Sequence, residues 1–236
     1  MGQKKLIRFE AIKGFSNVLQ YPEGMAGKWK DQFGNKNPIT LELACGKGEY
    51  TVGLSALYPE QNFIGVDVKG NRIYIGAKKC LENNQKNAAF LRTKIDQIND
   101  YFAPGEVHSI WITFPDPQLR RSRNSKRLTH PKFLRKYQQF LQPGGIIHLK
   151  TDSPVLFQFT LWVIELYGLE LVKKIEHLYQ EPVISPELAI KTHYEGLDIA
   201  QSNRIHYLSF RLPETPLPDH DEKLHELVFQ YEKATD

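Results

Sequence analysis

The stretch Ile39-Thr40-Leu41-Glu42-Leu43-Ala44-Cys45-Gly46-Lys47-Gly48 decides how this chain is read. A short apolar run ends in a glycine-containing loop, and residues 49–58 then read as a helix stopped by Pro59. The same rhythm repeats downstream. Residues 63–67 read as a second strand, followed by a helix over 71–83. Residues 89–93 read as a third strand. A fourth, over 109–114, leads to a helix over 132–141 closed by Pro143-Gly144-Gly145. A fifth, over 146–151, leads to a helix over 154–167. Strands alternating with helices of this length form βαβ units and a parallel sheet covered on both faces. Uninterrupted apolar runs such as 146–149 suit strands buried on both sides. The expected fold is therefore α/β, a doubly wound, Rossmann-like sheet.

Working outward, residues 1–38 show no regular periodicity and read as a basic N-terminal segment. Residues 39–212 make the body and 213–236 an acidic tail. Residues 169–178 and 205–212 read as late strands. Between them lies an irregular segment, 179–204, holding Pro182 and Pro186; a loop of that length is usually functional. Residues 221–233 read as a helix, with Leu224, Leu227, Val228 and Tyr231 on one face.

The chain has 236 residues, 41% apolar and 25% charged, which excludes a disordered protein. No apolar run approaches the ~18 residues of a membrane span, and the basic N-terminus lacks the apolar run of a signal peptide. Two cysteines, Cys45 and Cys80, exclude a disulfide framework and suit a reducing cytoplasm. His220 and His225 do not have the spacing of a zinc pair, and no metal is expected. The net charge of +4 conceals a polarised chain. Residues 1–40 carry +4, residues 110–140 carry +7 and residues 213–236 carry −5. The basic middle points to an anionic partner, nucleic acid foremost.

In an open parallel sheet, ligands bind beyond the carboxyl ends of the strands. Gly46 and Gly48 let the first loop turn tightly ahead of a helix N-terminus. Thr51 stands where a dinucleotide fingerprint needs its third glycine, and Gly48 stands where a P-loop needs Ser or Thr. Glu42, just before the loop, would repel a phosphate and suits a cationic ligand. Asp67, about twenty residues beyond the loop, is placed for a ribose diol. Lys94 and Asp96 follow the third strand, as a wall for a purine. Thr113-Phe114-Pro115-Asp116-Pro117 holds a carboxylate between two prolines, a stiff and preorganised position. Directly after it come Arg120, Arg121, Arg123, Lys126 and Arg127, five bases in eight residues, read as a phosphate-contacting patch. Asp152 ends the fifth strand, and Thr192, His193, Tyr194 and Glu195 lie in the late loop. A ring of acids bordered by bases fits a cationic small molecule meeting an anionic polymer, and S-adenosylmethionine is such a small molecule. A nicotinamide oxidoreductase would need the missing glycine, and a silent RNA-binding module would not need the acids.

With these residues in hand, the chain resembles the bacterial tRNA (guanine-N7-)-methyltransferases, class I S-adenosylmethionine-dependent enzymes. The resemblance spans roughly residues 38–210. It rests on the glycine loop, Gly65-Val66-Asp67-Val68, Phe114-Pro115-Asp116-Pro117, Lys126-Arg127-Leu128-Thr129, His148-Leu149-Lys150-Thr151-Asp152 and Thr192-His193-Tyr194-Glu195. It implies a seven-stranded sheet with the last strand antiparallel, S-adenosylmethionine as cofactor, and methyl transfer to N7 of a guanine in the tRNA variable loop. Another S-adenosylmethionine-dependent RNA or small-molecule methyltransferase is the alternative. It further implies cofactor contacts at Glu42, Asp67 and Asp116, catalysis at Asp116, and substrate binding at Arg120, Asp152, Thr192, His193, Tyr194 and Glu195. A monomer or homodimer is expected. Departures mark a divergent branch. Gln118 replaces a Trp, Lys94 replaces an acid, and Ser122 and Ser125 thin out the basic run.

Overall fold

The computed structural model describes residues 2–197, 201 and 204–235. Among these, β1 (Val18–Gln20), β2 (Ile39–Leu43), β3 (Asn62–Asp67), β4 (Ala88–Arg92), β5 (Val107–Thr113), β6 (Leu141–Thr151), β7 (Glu170–Ile175) and β8 (His206–Arg211) form one sheet in the order β1-β4-β3-β2-β5-β6-β8-β7. Strands β2 and β3 are buried along their whole length, so that even their polar residues Thr40, Glu42, Asn62 and Asp67 are shielded from solvent. The chain steps outward from β2 to β3 and β4, then returns to lay β5 on the other side of β2. The crevice at that reversal opens beyond the carboxyl ends of β2 and β5.

The sheet has eight strands where seven were expected. The addition is β1, which pairs parallel with β4 from Val18↔Phe90 to Gln20↔Arg92. Three half-buried residues at a sheet edge are too few to write a readable alternation. The last strand, β8, runs antiparallel to both neighbours, as the resemblance implied.

Helices α1 (Gly2–Ala11), α2 (Trp29–Phe33), α3 (Glu49–Leu57), α4 (Gly70–Glu82), α5 (Pro131–Tyr137), α6 (Pro154–Leu166), α7 (Pro186–Ala189) and α8 (Asp221–Thr235) complete the order. Helices α3, α4 and α6 lie within a residue of their expected bounds. Ser153 caps α6 by accepting from the Leu156 N–H at 3.2 Å, ahead of Pro154. Helix α5 is shorter than expected. It ends at Tyr137, and Leu141 already belongs to β6. Pro143-Gly144-Gly145, expected as a closing turn, is an irregularity inside β6. The register with β5 shifts there, and a Cβ on Gly145 would stand 2.8 Å from the His108 carbonyl.

On one face, Leu41, Ile110 and Leu149 pack against Phe133 and Tyr137 of α5 and Phe159 and Val163 of α6. On the other, Tyr50 and Leu54 of α3 meet Trp111, Tyr207, Leu178 and Leu188. The N-terminal segment contributes Trp29, fully buried, whose indole N–H donates to the Tyr101 carbonyl at 2.8 Å. The acidic tail is anchored too. Leu224 and Val228 of α8 are buried, and Asp221 pairs with Arg135 at 2.8 Å. No described helix is long and apolar enough to cross a membrane.

Candidate active site

The loop from β2 to α3 turns through three left-handed residues, Ala44 (φ 55°), Gly46 (φ 56°) and Gly48 (φ 71°). Glycine is required at Gly48, where a Cβ would meet the Phe90 ring at 2.5 Å. Gly76 of α4 matters for the same reason: its Cβ would stand 2.5 Å from the Lys47 carbonyl, so α4 presses directly on the loop. The Asp67 carboxylate ties the edge together. One oxygen accepts from the Gly46 N–H at 2.9 Å and the other from the Lys69 N–H at 2.7 Å. Each oxygen retains a second lone pair.

Glu42 lies beneath the loop, 3% exposed. One of its oxygens accepts from the Thr51 N–H and hydroxyl at 2.7 and 2.6 Å, and the other from the Thr113 hydroxyl at 3.2 Å. None of these partners is a cation. Burial therefore pushes its pKa up to about 7, against the pull of the Thr51 hydrogen bonds. Burial first, then the charges of Glu42, Asp67 and Glu49, raises the Cys45 thiol far above its ordinary value. Cys45 is 4% exposed and packs in a cluster with Val52, Ile73 and Phe90, and the carboxyl groups of Glu42, Asp67 and Glu49 surround the loop.

A cavity of about 370 Å³ opens beyond β2, β3 and β4, with Ala44, Asp67, Lys94, Asp96, Lys126 and Lys132 in its wall. It unites Asp67, Lys94, Asp96 and Lys126 from the sequence reading. Asp96 is already engaged, accepting from the Lys132 ammonium at 2.7 Å across an exposed rim.

Beyond β5 the backbone is strained. Phe114 (φ 46°) and Gln118 (φ 47°) are both left-handed without being glycine. Between them Asp116 is exposed, and its Oδ1 accepts from the Gln118 N–H at 2.9 Å. Arg120 is exposed just ahead of the adjoining 3-10 turn, Arg121–Lys126, on which Arg123 and Lys126 are also exposed. The Arg121 side chain lies outside the described residues. Arg127 corrects the expectation of five phosphate contacts. It is 1% exposed, and its guanidinium points inward to the Pro117 and Gln118 carbonyls at 3.0 and 3.2 Å.

At the end of β6 Asp152 is half-buried. Beside it Lys150, which the sequence reading did not single out, is fully buried. Its ammonium donates to the Leu188 carbonyl at 3.0 Å, the Ile190 carbonyl at 2.9 Å and Glu195 at 3.0 Å. The other Glu195 oxygen accepts from the Tyr179 hydroxyl. Much of the Glu195 carboxylate is thus spent on holding the late loop down. The signal for Lys150 was present, because a lysine following the apolar residues Ile146, Ile147 and Leu149 in a central strand must find buried acceptors. The loop folds back over the first one. The His193 N–H donates to Glu49 at 3.3 Å, and a Cβ on Gly46 would stand 3.9 Å from the Tyr194 ring. Thr192 is buried and closes a turn on the Glu195 N–H at 3.2 Å. Among the described residues no group of His, Cys, Asp and Glu is placed to hold a metal ion.

Comparison with known proteins bears on this edge. A family profile described as a putative methyltransferase matches residues 36–208. Among solved structures, the 16S rRNA methyltransferase KamB aligns with a TM-score of 0.60 at 13% identity, over 84% of this chain and 99% of that one. The [4+2]-cyclase SpnF aligns at 0.54 with 16% identity, over 76% of each chain. At these identities the likeness fixes the fold alone, and a cyclase among the neighbours shows how little the fold says about chemistry. Sequence relatives say more. The tRNA (guanine-N(7)-)-methyltransferase of Bacteroides thetaiotaomicron is 45% identical over 223 residues, spanning 91% of this chain and 88% of that protein. Those of Cytophaga hutchinsonii and Lactococcus lactis are 41% and 34% identical, over 89% and 75% of this chain and 98% and 82% of theirs. With the class I sheet and the acid-ringed loop beside a basic turn already in place, these matches assign the chain to the family of tRNA (guanine-N(7)-)-methyltransferases.

Proposed function

We propose that this protein transfers the methyl group of S-adenosylmethionine to N7 of a guanine in tRNA. The observation that carries the reading is the meeting, at one sheet edge, of a glycine loop bordered by the Glu42, Asp67 and Glu49 carboxyl groups and an exposed basic turn, in a chain 45% identical to an enzyme of that name. The residues present fit the cofactor. A buried carboxylate with no cationic partner, Glu42, lies under the loop, and Asp67 keeps lone pairs for a ribose diol. When bound, S-adenosylmethionine supplies an electrophilic methyl group on a sulfonium.

Guanine N7 carries an available lone pair, so the acceptor needs no general base. The chain supplies orientation, charge balance and exclusion of water. In this reading Glu42, Gly46, Gly48 and Asp67 hold the cofactor's charged and ribose portions, and Lys94 and Asp96 flank its base. Asp116 positions the guanine and balances the positive charge that develops on its imidazole ring. Asp152, Thr192, His193, Tyr194 and Glu195 line the guanine side. Arg120, Arg121, Arg123 and Lys126 hold phosphates. Asp116→Ala is expected to fold, bind S-adenosylmethionine and lose methyl transfer, and full turnover by this variant would remove Asp116 from the mechanism.

A further inference from the structure

The turn carrying Asp116 holds two L-residues in left-handed backbone, Phe114 and Gln118, within five positions. Such a turn persists only when its surroundings fix it. The Asp116 carboxylate contributes one bond, to the Gln118 N–H. The stronger restraint comes from Arg127, whose Nε and Nη2 donate to two consecutive carbonyls, Pro117 at 3.0 Å and Gln118 at 3.2 Å. Its guanidinium carbon stands 4.5 Å from the centre of the buried Phe159 ring on α6. The planar fork is therefore backed by the core and aimed at the segment immediately after Asp116. Its 1% exposure leaves no face for a phosphate, whereas Arg123 and Lys126 on the same turn are exposed.

We propose that Arg127 is a positioning residue: it clamps the Pro117 and Gln118 carbonyls to hold Asp116 in its working geometry, and takes no part in binding the RNA backbone. The proposal rests on the reading of Asp116 as the active-site carboxylate. A basic turn that looks uniform in sequence is then divided by function, with its outer side chains toward RNA and its last one toward the protein. Lysine is a poor replacement for this residue, because its single ammonium nitrogen lacks the planar fork that reaches the Pro117 and Gln118 carbonyls from two nitrogens while lying against the Phe159 ring.

The test is Arg127→Lys in the full-length protein, assayed for kcat and KM with tRNA, for the salt dependence of tRNA binding, and for amide exchange across residues 114–119. The expected result is a kcat lowered tenfold to a hundredfold, on the order expected for a catalytic group displaced by about 1 Å. KM for tRNA and the salt slope should be unchanged, and the loss of exchange protection should be confined to the Asp116 turn. A salt slope shallower by about 0.7–0.9, as for one lost phosphate contact, with kcat retained would overturn the proposal. So would full turnover, or a loss of protection spread through the whole fold. Phe159→Leu, which removes the ring behind the guanidinium and keeps the charge, is expected to show a weaker form of the same pattern and carries the test if Arg127→Lys is unstable at assay temperature. Asp116→Asn, run in parallel, separates the two readings: full turnover there removes the role of Asp116. A dead Asp116→Asn beside a fully active Arg127→Lys removes the clamp.

Discussion

Lys150→Met perturbs the account where its energy is most concentrated. The Lys150 and Glu195 side chains are 0% and 5% exposed and 3.0 Å apart, and the other two ammonium protons go to the Leu188 and Ile190 carbonyls. Methionine fills similar space but leaves Glu195 buried without its cation. Breaking a buried pair from one side costs about 3–5 kcal/mol. The two orphaned carbonyls add roughly 1 kcal/mol or more each unless the loop moves to hydrate them. The lower end, about 3 kcal/mol, is expected, because residues 179–197 can relax outward. That relaxation also displaces Thr192, His193 and Tyr194 from the glycine loop, so kcat/KM should fall at least tenfold even where the protein remains folded. Urea titration followed by circular dichroism gives the stability, and Glu195→Gln and the double variant complete a cycle with an expected coupling of about 1–3 kcal/mol. A Lys150→Met loss below about 1 kcal/mol with activity retained would refute the reasoning, as would a double variant no more stable than the sum of the single losses implies.

Three other outcomes follow from the site's charges. Glu42, with a pKa near 7 in the folded protein against 4.5 for the free side chain, keeps a proton in the folded state that the unfolded chain has lost. It therefore contributes stability that is present below pH 4.5 and lost as the pH rises through 7, up to about 3 kcal/mol. His130 and His148, held neutral by burial with pKa values near 4 and 3, act in the opposite sense and lose stability as the pH falls below 6.5. The wild type minus Glu42→Gln difference thus isolates the carboxylate. A bound sulfonium should expel the Glu42 proton, so S-adenosylmethionine affinity should rise from pH 6 to 8 in wild type and stay flat in Glu42→Gln; calorimetry in buffers of different ionisation enthalpy reads the proton directly. Replacing Arg120, Arg123 and Lys126 together by Gln should reduce the slope of log affinity for tRNA against log salt by about 2–3. An unchanged slope would place the RNA on another face.

The βαβ rhythm was legible because its strands are short, rich in apolar residues and buried on both faces, and because prolines and caps such as Ser153-Pro154 punctuate its helices. β1 was not, since its three residues gain their place only by pairing with β4, some seventy positions away. Trp29 was equally silent, a single anchor in a lysine-rich stretch whose partner is the Tyr101 carbonyl. At the site, residue type and position at strand ends were readable, but the direction of each side chain was not. Arg127 and Arg123 look alike in sequence, and the Phe159 ring and the Pro117 and Gln118 carbonyls turn one of them inward. Lys150 and Glu195 both stood at readable positions. That they bind each other depends on the late loop folding back across the sheet edge.

The most direct measurement is incubation of unmodified tRNA transcripts with the purified protein and S-adenosylmethionine, followed by nucleoside mass spectrometry. The account predicts 7-methylguanosine, formed by the wild type and not by Asp116→Ala. A methylated nucleoside other than 7-methylguanosine, or no methylation by protein that binds both ligands, would contradict it.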